Sequence, residues 1–347
     1  MRLLVHVGPL ETSTGWIQQA LRTNAAVLRR HGIYVPAAGC SALDKTSLTH
    51  NNLAWEQLKS PRFEPAGGGW DNLVAELADV NAETVLLSSE VFSHLGPPTQ
   101  AGEAFDEHLL PLGRDVTVVY GVRDQLSAVN GVYGQLVKRL ADVGTFTDYA
   151  EGVLEDGAVD LVQQTSRWYD SPDFEFAAVP TPGPVQGHPL VALLAAARLD
   201  VPTERLVLSD EPPSITLGPV AVVAFRLLRH CLQALNPAVC SDDPPVRQLH
   251  RLAALRANDE GWCQEPFWGW TPDQAADVAW RLAQSNERFA QAVWGMPWPL
   301  TMPVTRPQAM VPAPLDLRGP RMLRVQDFVA EMLRWYAVPL DKFEPRI

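Results

Sequence analysis

Lysine is scarce in this chain of 347 residues, and that shortage narrows the chemistry open to it. Most basic residues are arginines, and only four lysines occur: Lys45, Lys59, Lys138 and Lys342. A mechanism that depends on a lysine therefore has few candidates. Cysteine is equally rare, with four residues at positions 40, 231, 240 and 263. No Cys-x-x-Cys pair and no histidine at metal-ligand spacing accompanies them, so we expect incidental thiols in a reducing compartment and no metal site.

Other absences exclude broad classes of function. The formal net charge of −12 argues against a general binder of nucleic acid or of anionic membranes, because phosphate-rich surfaces attract clustered basic residues. No apolar run approaches the roughly 18 residues of a membrane-spanning helix. The first residues, "MRLLVHVG", are too short for the apolar core of a signal peptide and lead directly into the fold. We therefore expect a cytoplasmic protein without a membrane or nucleic-acid partner.

The first half of the chain alternates buried strands with helices. Apolar runs at 2–7, 84–90 and 115–123 are typical of strands buried on both faces of a parallel sheet, and 33–36 indicates a short strand. Helical spacing covers 16–31, 70–80 and 125–143. This order predicts an α/β fold with three layers, α/β/α, around a central parallel sheet.

The second half is richer in helices. Its pattern predicts a strand at 174–180, a loop rich in proline and glycine at 181–188, and five helices: 159–170, 189–201, 218–235, 273–294 and 324–336. Arg226 and Arg229 fall on the polar side of the helix at 218–235. Many prolines between 296 and 320 indicate irregular structure. We predict one α/β domain over 1–295, and an extension over 296–347 that ends in a helix and packs on the same domain.

Residues 8–16, "GPLETSTGW", stand where the first strand turns into the first helix. Ligands of open parallel sheets bind at the carboxyl ends of strands, and a helix N-terminus offers free N–H groups and a positive dipole to a phosphate. The loop is equally consistent with a plain strand-to-helix turn that carries a Ser/Thr cap. It is not a Walker A sequence, because the lysine of that motif is missing and Glu11 stands in the loop.

At this point the chain resembles the bacterial P-loop sulfotransferases, which use 3′-phosphoadenosine-5′-phosphosulfate (PAPS) as donor. The family's N-terminal pattern, roughly "hhHhGxxKTGTTxhQ…N…L…G…YP", is similar to "LLVHVGPLETSTGWIQQALRTNAAVLRRHGIYVP" here. Four further segments follow in the family's order: "THNNLAWEQL", "VLLSSEVFSHL", "VTVVYGVRDQLSAVNGVYGQLVK" and "SNERFAQAVWG". The resemblance covers 1–140 well and 141–295 loosely, and it implies a P-loop NTPase-like sulfotransferase fold.

The resemblance implies roles for particular residues. Backbone N–H groups from Leu10 to Trp16 would hold the 5′-phosphosulfate, with added bonds from the side chains at 12–14, and Arg123 would pair with the 3′-phosphate. The implied nucleotide-binding set is Pro9, Leu10, Glu11, Thr12, Ser13, Thr14, Gly15, Trp16, Ser89, Arg123 and Gly131. His50 stands where a base could deprotonate an acceptor hydroxyl, although a capping or loop histidine is an equal interpretation. Ser88, Ser89 and Glu90 end a strand, and either contact a ligand or cap the next helix.

Three positions depart from the family pattern. Glu11 replaces the lysine that stabilises charge on the leaving oxygen, and the loss of such a group typically costs ~10²–10³ in rate. Gly131 replaces a serine that binds the 3′-phosphate, and Gly15 replaces a loop threonine. Glu11 could pair with Lys45 or an arginine, or serve as a general base.

Two hypotheses about function follow. The first is a sulfotransferase that moves a sulfuryl group from PAPS to a hydroxyl or amine of a small molecule or glycan, without a metal. The second is a protein of sulfotransferase fold that has lost PAPS chemistry and binds another ligand or partner, or that uses Glu11 in other acid/base chemistry. A kinase or triphosphatase is disfavoured, because both the Walker lysine and an obvious Mg²⁺ pair are missing. Six tryptophans between 262 and 298 either line a cleft for the acceptor or pack in the core.

Overall fold

The computed structural model describes residues 1–9, 11–41, 48–181, 187–209, 215–310 and 319–337. The chain divides into two compact units. Unit 1 comprises Met1–Ala128, Gly157–Pro213 and Trp280–Met302, and unit 2 comprises Val129–Asp156, Ser214–Ala279 and Pro303–Ile347. The proposed division into a domain over 1–295 and an extension over 296–347 stays a prediction.

Unit 1 contains a five-stranded sheet in which every pairing is parallel. Its strands are β1 (Arg2–Val7), β2 (Ile33–Tyr34), β3 (Thr84–Ser89), β4 (Asp115–Val122) and β5 (Phe174–Pro180). Their order across the sheet is β2-β3-β1-β4-β5, so β1 is central and pairs with β3 and β4. Val5, for example, lies opposite Leu87 on one side and Val118 on the other. The predicted α/β class with a central parallel sheet is thus confirmed.

The described residues form helices with the following bounds: α1 (Thr14–Thr23), α2 (Ala25–Arg30), α3 (Asn51–Gln57), α4 (Trp70–Ala78), α5 (Gln100–Leu109), α6 (Gln125–Lys138), α7 (Phe146–Glu155), α8 (Leu161–Tyr169), α9 (Pro189–Ala196), α10 (Pro219–Leu235), α11 (Pro244–Asp259), α12 (Pro272–Trp294) and α13 (Pro320–Tyr336). Within these, no helix has both the length and the apolar character needed to cross a membrane.

Each face of the sheet carries its own layer of helices. Successive strand residues point to opposite faces, so Leu4 of β1 packs in one core and Leu3 and Val5 pack in the other. The Leu4 side is covered by α1, α2 and α9, and the opposite side by α3, α4, α5, α8 and the end of α12. This arrangement is compatible with the three-layer α/β/α architecture.

Several predicted helices have different bounds in the structure. The helix predicted at 189–201 ends at Ala196, and the one predicted at 324–336 begins at Pro320. The stretch 16–31 forms α1 and α2, which are separated at Asn24. The buried Asn24 side chain donates to Ala20 O (2.9 Å) and Val207 O (2.8 Å) and accepts from Val207 N–H (2.7 Å). Such local side-chain bonding competes with the helical ladder.

The predicted helix at 125–143 ends at Lys138, and α3, α5, α7 and α11 were not predicted.

Unit 2 is built from helices around an aromatic core. Tyr133 of α6 contacts Phe146 of α7 and Phe267, and Phe146 also meets Trp270 edge-on. Trp268 and Trp270 are buried here, which favours packing over a cleft-lining role.

In unit 1, Trp294 and Trp298 pack on Phe289, while Trp280 is exposed. All four cysteines are free thiols.

Candidate functional site

The loop between β1 and α1 has a strained, tightly turned backbone. Glu11 and Ser13 both adopt left-handed conformations, with φ of 71° and 62°, which side-chain-bearing residues rarely do. Ser13 is the N-cap of α1, and its carbonyl accepts from the N–H groups of Trp16 (3.0 Å) and Ile17 (3.1 Å). Leu10 lies outside the described residues. The two left-handed residues thus precede the start of α1 at Thr14.

The first two amides of α1 are available to a ligand. Among the residues that the structure describes, no acceptor binds the backbone N–H of Thr14 or of Gly15. Unpaired N–H groups at a helix N-terminus, together with the positive end of the helix dipole, favour an anion. These two amides belong to the segment predicted to hold the 5′-phosphosulfate, and that role stays a prediction.

The Thr12 and Thr14 hydroxyls bond to the loop itself, whereas the resemblance implied bonds to a phosphosulfate. Thr12 Oγ1–H donates to Pro9 O (2.6 Å), and Thr14 Oγ1–H donates to Gly8 O (2.9 Å). Both side chains are buried, and the two hydroxyl oxygens are 3.1 Å apart. These hydroxyls brace the loop from inside. Of the three hydroxyl residues assigned to the phosphosulfate, Ser13 remains half-buried and lines a cavity.

Gly8 allows this bracing because a side chain there would have no room. A Cβ atom at position 8 would overlap Thr14 Oγ1 and would lie 3.0 Å from His6 Cε1. We expect Gly8→Ala to destabilise the protein by about 1–3 kcal/mol, as overpacking of a dense core does. Urea unfolding measures the change. Gly152→Ala is the matched control, because nothing lies within 4 Å of a Cβ at that helical position. Equal stability of the two variants would contradict this account of the loop.

Arg123 and Glu11 meet at the loop. Arg123 follows β4 directly, and its Nη1 donates to the main-chain carbonyl of Glu11 (2.7 Å) and lies 3.5 Å from the Glu11 carboxylate. Both side chains are partly exposed, at 33% for Arg123 and 23% for Glu11. Of the partners considered for Glu11, an arginine is therefore the one observed, whereas Lys45 lies outside the described residues. Arg123, the basic group predicted to bind a phosphate, is thus held next to the Glu11 carboxylate.

A cavity of about 220 Å³ opens beside this pair at the carboxyl ends of β1, β4 and β5. Its polar lining comes from His6, Glu11, Thr12, Ser13, Arg123 and Thr181. Its apolar wall comes from Trp16 and Ile17 of α1, Val179 of β5, and Ala192 and Leu193 of α9. Sequence reasoning missed the contribution of β5 and α9. The Pro/Gly-rich loop that follows a predicted strand at 174–180 is the signal that could have placed them at the same edge.

His6 also lines the cavity, and the sequence analysis assigned it no role. It is 2% exposed, and its Nδ1 lies 2.8 Å from Ser88 Oγ. Burial lowers the pKa of His6 to about 4, because the charged imidazolium is poorly solvated there. The ring is therefore neutral near pH 7 and contributes a hydrogen-bonding group without a charge.

His50 does not reach this cavity. It is fully buried, with Nδ1 accepting from Ser88 N–H (3.0 Å) and Nε2 lying 3.1 Å from Pro36 O. A neutral tautomer with the proton on Nε2 satisfies both contacts. Burial lowers its pKa to about 4. Because both ring nitrogens are occupied by backbone groups, the general-base assignment of His50 is replaced here by a structural role, which joins β3 to the segment before α3.

The Ser-Ser-Glu end of β3 forms a network with α1 and α3. Ser89 Oγ donates to Asn51 Oδ1 (2.5 Å) and accepts from Val91 N–H (3.0 Å), so it caps the turn that follows β3. The Glu90 carboxylate accepts from Gln18 Nε2 (3.0 Å) and Asn51 Nδ2 (2.8 Å). Of the two interpretations of Ser89, the geometry matches the cap. Gly131, predicted near the 3′-phosphate, lies in the middle of α6 and is half-buried.

The described part of the chain contains no group of three or more His, Cys, Asp or Glu side chains placed to hold a metal ion. Comparisons of the chain with protein-family models, with curated proteins and with solved structures each returned no significant match. The geometry of the loop and its cavity is therefore the basis for a functional proposal.

Proposed function

We propose that the chain is a sulfotransferase-like enzyme that transfers a sulfuryl group from PAPS to a hydroxyl or amine of a small molecule or glycan. The supporting observation is that Arg123 and the loop residues Glu11, Thr12 and Ser13 line one cavity at the carboxyl edge of a parallel sheet. The free Thr14 and Gly15 amides come directly after Ser13, at the start of α1. A helix N-terminus and a guanidinium are two complementary anion-binding groups, and a nucleotide with phosphates at both its 3′ and 5′ positions needs both.

PAPS supplies the activated sulfuryl group in this proposal. The residues of the chain hold and orient the reactants. The amides of α1 bind the 5′-phosphosulfate and stabilise the charge that develops on its phosphate oxygen as the S–O bond breaks. Arg123 exchanges its contact with the Glu11 carboxylate for one with the 3′-phosphate, because a phosphate carries more charge than a carboxylate. Trp16 and Leu193 exclude water from one wall of the cavity.

Glu11 is the proposed general base. It is the only carboxylate in the described lining of the cavity, and the release of Arg123 to the nucleotide leaves it without its partner. Its carboxylate takes the proton of the acceptor hydroxyl or amine as the acceptor's oxygen or nitrogen bonds to sulfur. The role proposed for Glu11 thus differs from that of the lysine it replaces, which stabilises the leaving group.

Calorimetric titration with the product nucleotide, 3′-phosphoadenosine-5′-phosphate (PAP), tests the proposal. We expect micromolar binding by the wild type. In Arg123→Ala we expect PAP affinity to fall at least tenfold and sulfuryl transfer to be lost, since a charge-assisted hydrogen bond is worth roughly 1.5–3 kcal/mol. Arg22→Ala is the matched control, because Arg22 is an exposed residue in the last turn of α1. Unchanged PAP affinity and turnover in Arg123→Ala would refute the proposal.

A second candidate function is favoured by one observation. The Glu11 carboxylate already neutralises Arg123, and the Thr12 and Thr14 hydroxyls are already bonded inside the loop. These contacts suit a protein that has kept the fold and lost PAPS chemistry, and that binds another ligand or partner. If folded wild-type protein shows no affinity for PAP, this second function replaces the first.

A further inference from the structure

Unit 2 contains a cavity of its own. Its volume is about 510 Å³, which falls within the range of roughly 300–1,000 Å³ that is usual for small-molecule sites. The cavity is bounded by one face of α10, the end of α6, the start of α7, and residues Phe267, Met310 and Met322. None of this lining was assigned a function from the sequence.

One face of α10 supplies both arginines of the lining. Val222, Arg226, Arg229 and Gln233 follow each other at intervals of four, three and four residues, which places them on one side of the helix. The sequence predicted that Arg226 and Arg229 lie on the polar side. In the structure Arg226 is exposed, whereas Arg229 is half-buried.

The Arg229 guanidinium is incompletely bonded. Its Nη2 donates to Val239 O (3.2 Å), but Nε and Nη1 are buried and have no hydrogen-bond partner within the described residues. An arginine stays charged in proteins, so it cannot relieve this burial by losing a proton. Buried N–H groups on a cation are normally paired, and the Arg229 side chain lines the cavity, so an anion bound there would supply a counter-charge to this guanidinium.

The other lining residues indicate the chemical character of the rest of the ligand. Apolar side chains form most of the wall: Val137, Phe146, Val222, Phe225, Phe267, Met310 and Met322. The charged and titratable groups at the cavity are Arg226, Arg229, His230 and Asp142, and the Asp142 carboxylate is engaged by Gln233 Nε2 (2.7 Å). The start of α7 also lines the cavity, so the positive end of its dipole faces inward. This basic, apolar site contrasts with the net charge of −12 of the whole chain.

We propose that unit 2 binds a small amphipathic anion, with an oxyanion head on an apolar body. The head, a carboxylate or a sulfate ester, pairs with the Arg229 guanidinium at the cavity wall, with Arg226 adding long-range attraction. The apolar body packs against Phe146, Phe225 and Met322. This site does not depend on the function proposed for unit 1.

Calorimetry of the full chain with three ten-carbon probes tests the site. Decanoate carries the carboxylate head, decyl sulfate carries the sulfate-ester head, and decanol has the same chain without a charge. We expect at least one of the anions to bind tenfold or more tightly than decanol, and the comparison of the two anions identifies the preferred head. Binding of neither anion, or equal binding of decanol, would overturn the proposal.

Variants link the binding to Arg229. We expect Arg229→Met to weaken binding of the preferred anion at least tenfold and to leave decanol unchanged, while Arg229→Lys keeps part of the affinity. Arg251→Met is the matched control, because Arg251 is an exposed arginine of α11 that does not line the cavity. Circular dichroism and thermal unfolding establish that each variant is folded. Equal affinity of Arg229→Met and Arg251→Met for the anion would show that Arg229 does not bind it.

Discussion

Replacement of Glu11 by lysine is expected to tighten PAP binding about a hundredfold and to abolish sulfuryl transfer. The carboxylate lies 3.5 Å from Arg123 and would repel a bound phosphate. At an effective dielectric constant of about 40, which suits partly exposed groups, one unit charge at ~5 Å contributes about 1.7 kcal/mol. The change of two charges from Glu11 to lysine then contributes about 3 kcal/mol, or roughly two decades of affinity. The introduced ammonium group would attract the nucleotide and free Arg123, but it would supply no base to the acceptor. Binding and turnover are therefore expected to change in opposite directions.

Glu11→Gln is the control for this experiment. It keeps the left-handed residue and the main-chain carbonyl that accepts from Arg123, and it removes only the charge. We expect an intermediate gain in PAP affinity and a loss of turnover as deep as in Glu11→Lys. Calorimetry with PAP and a transfer assay with PAPS measure the two effects. A Glu11→Lys variant that binds PAP no better than wild type would show that the loop does not hold the phosphate. Retained turnover would exclude Glu11 as the base.

Acidification from pH 7 to pH 5 is expected to remove about 2 kcal/mol of stability for each of the two fully buried histidines, His6 and His50. Both have a pKa near 4 in the folded protein, whereas the ordinary value is 6.5. Between these values the unfolded chain binds protons that the folded chain does not. Stability therefore rises with pH across this window, and it is lost as the pH falls through 6.5 toward 4.

Urea unfolding at pH 7 and at pH 5 measures this loss. His50→Gln should have a smaller difference between the two pH values by about 2 kcal/mol, because one of the proton-linked histidines is gone. His108→Gln, which changes an exposed ring stacked on Trp70, is the matched control. If His50→Gln unfolds with the pH dependence of the wild type, the neutral, backbone-bound state of His50 is wrong.

The strands and most helices were predictable because they depend on local patterns. Apolar runs identified β1, β3, β4 and β5 to within a residue, and apolar periodicity located α4, α8 and α10. The helices that were missed, such as α5 and α11, have many polar and charged residues, and proline stands at the start of α11. Their apolar faces can be recognised only when the core that they cover is known. The break at Asn24 was missed for a similar reason, because its partner Val207 is distant in the sequence.

For the candidate site, the sequence was sufficient to locate the loop, because a strand, a Gly-Pro turn and a helix start are consecutive in the chain. The resemblance described above also singled out Arg123 and Glu11 as candidate site residues. Their pairing and the burial of His50 depend on atoms from separate segments, whereas the Thr12 and Thr14 hydroxyls bond within the loop, to Pro9 and Gly8.

The order of residues along the chain thus specifies the elements of this protein and the parallel sheet that they form, since hydrophobic period and turn chemistry act over a few neighbouring positions. The partners of the individual side chains are decided by packing. Arg123 and Glu11 are 112 positions apart in the chain, and only the adjacent ends of β1 and β4 bring them to hydrogen-bonding distance. Arg229 likewise has the sequence environment of a surface residue, yet the helices around it bury its Nε and Nη1.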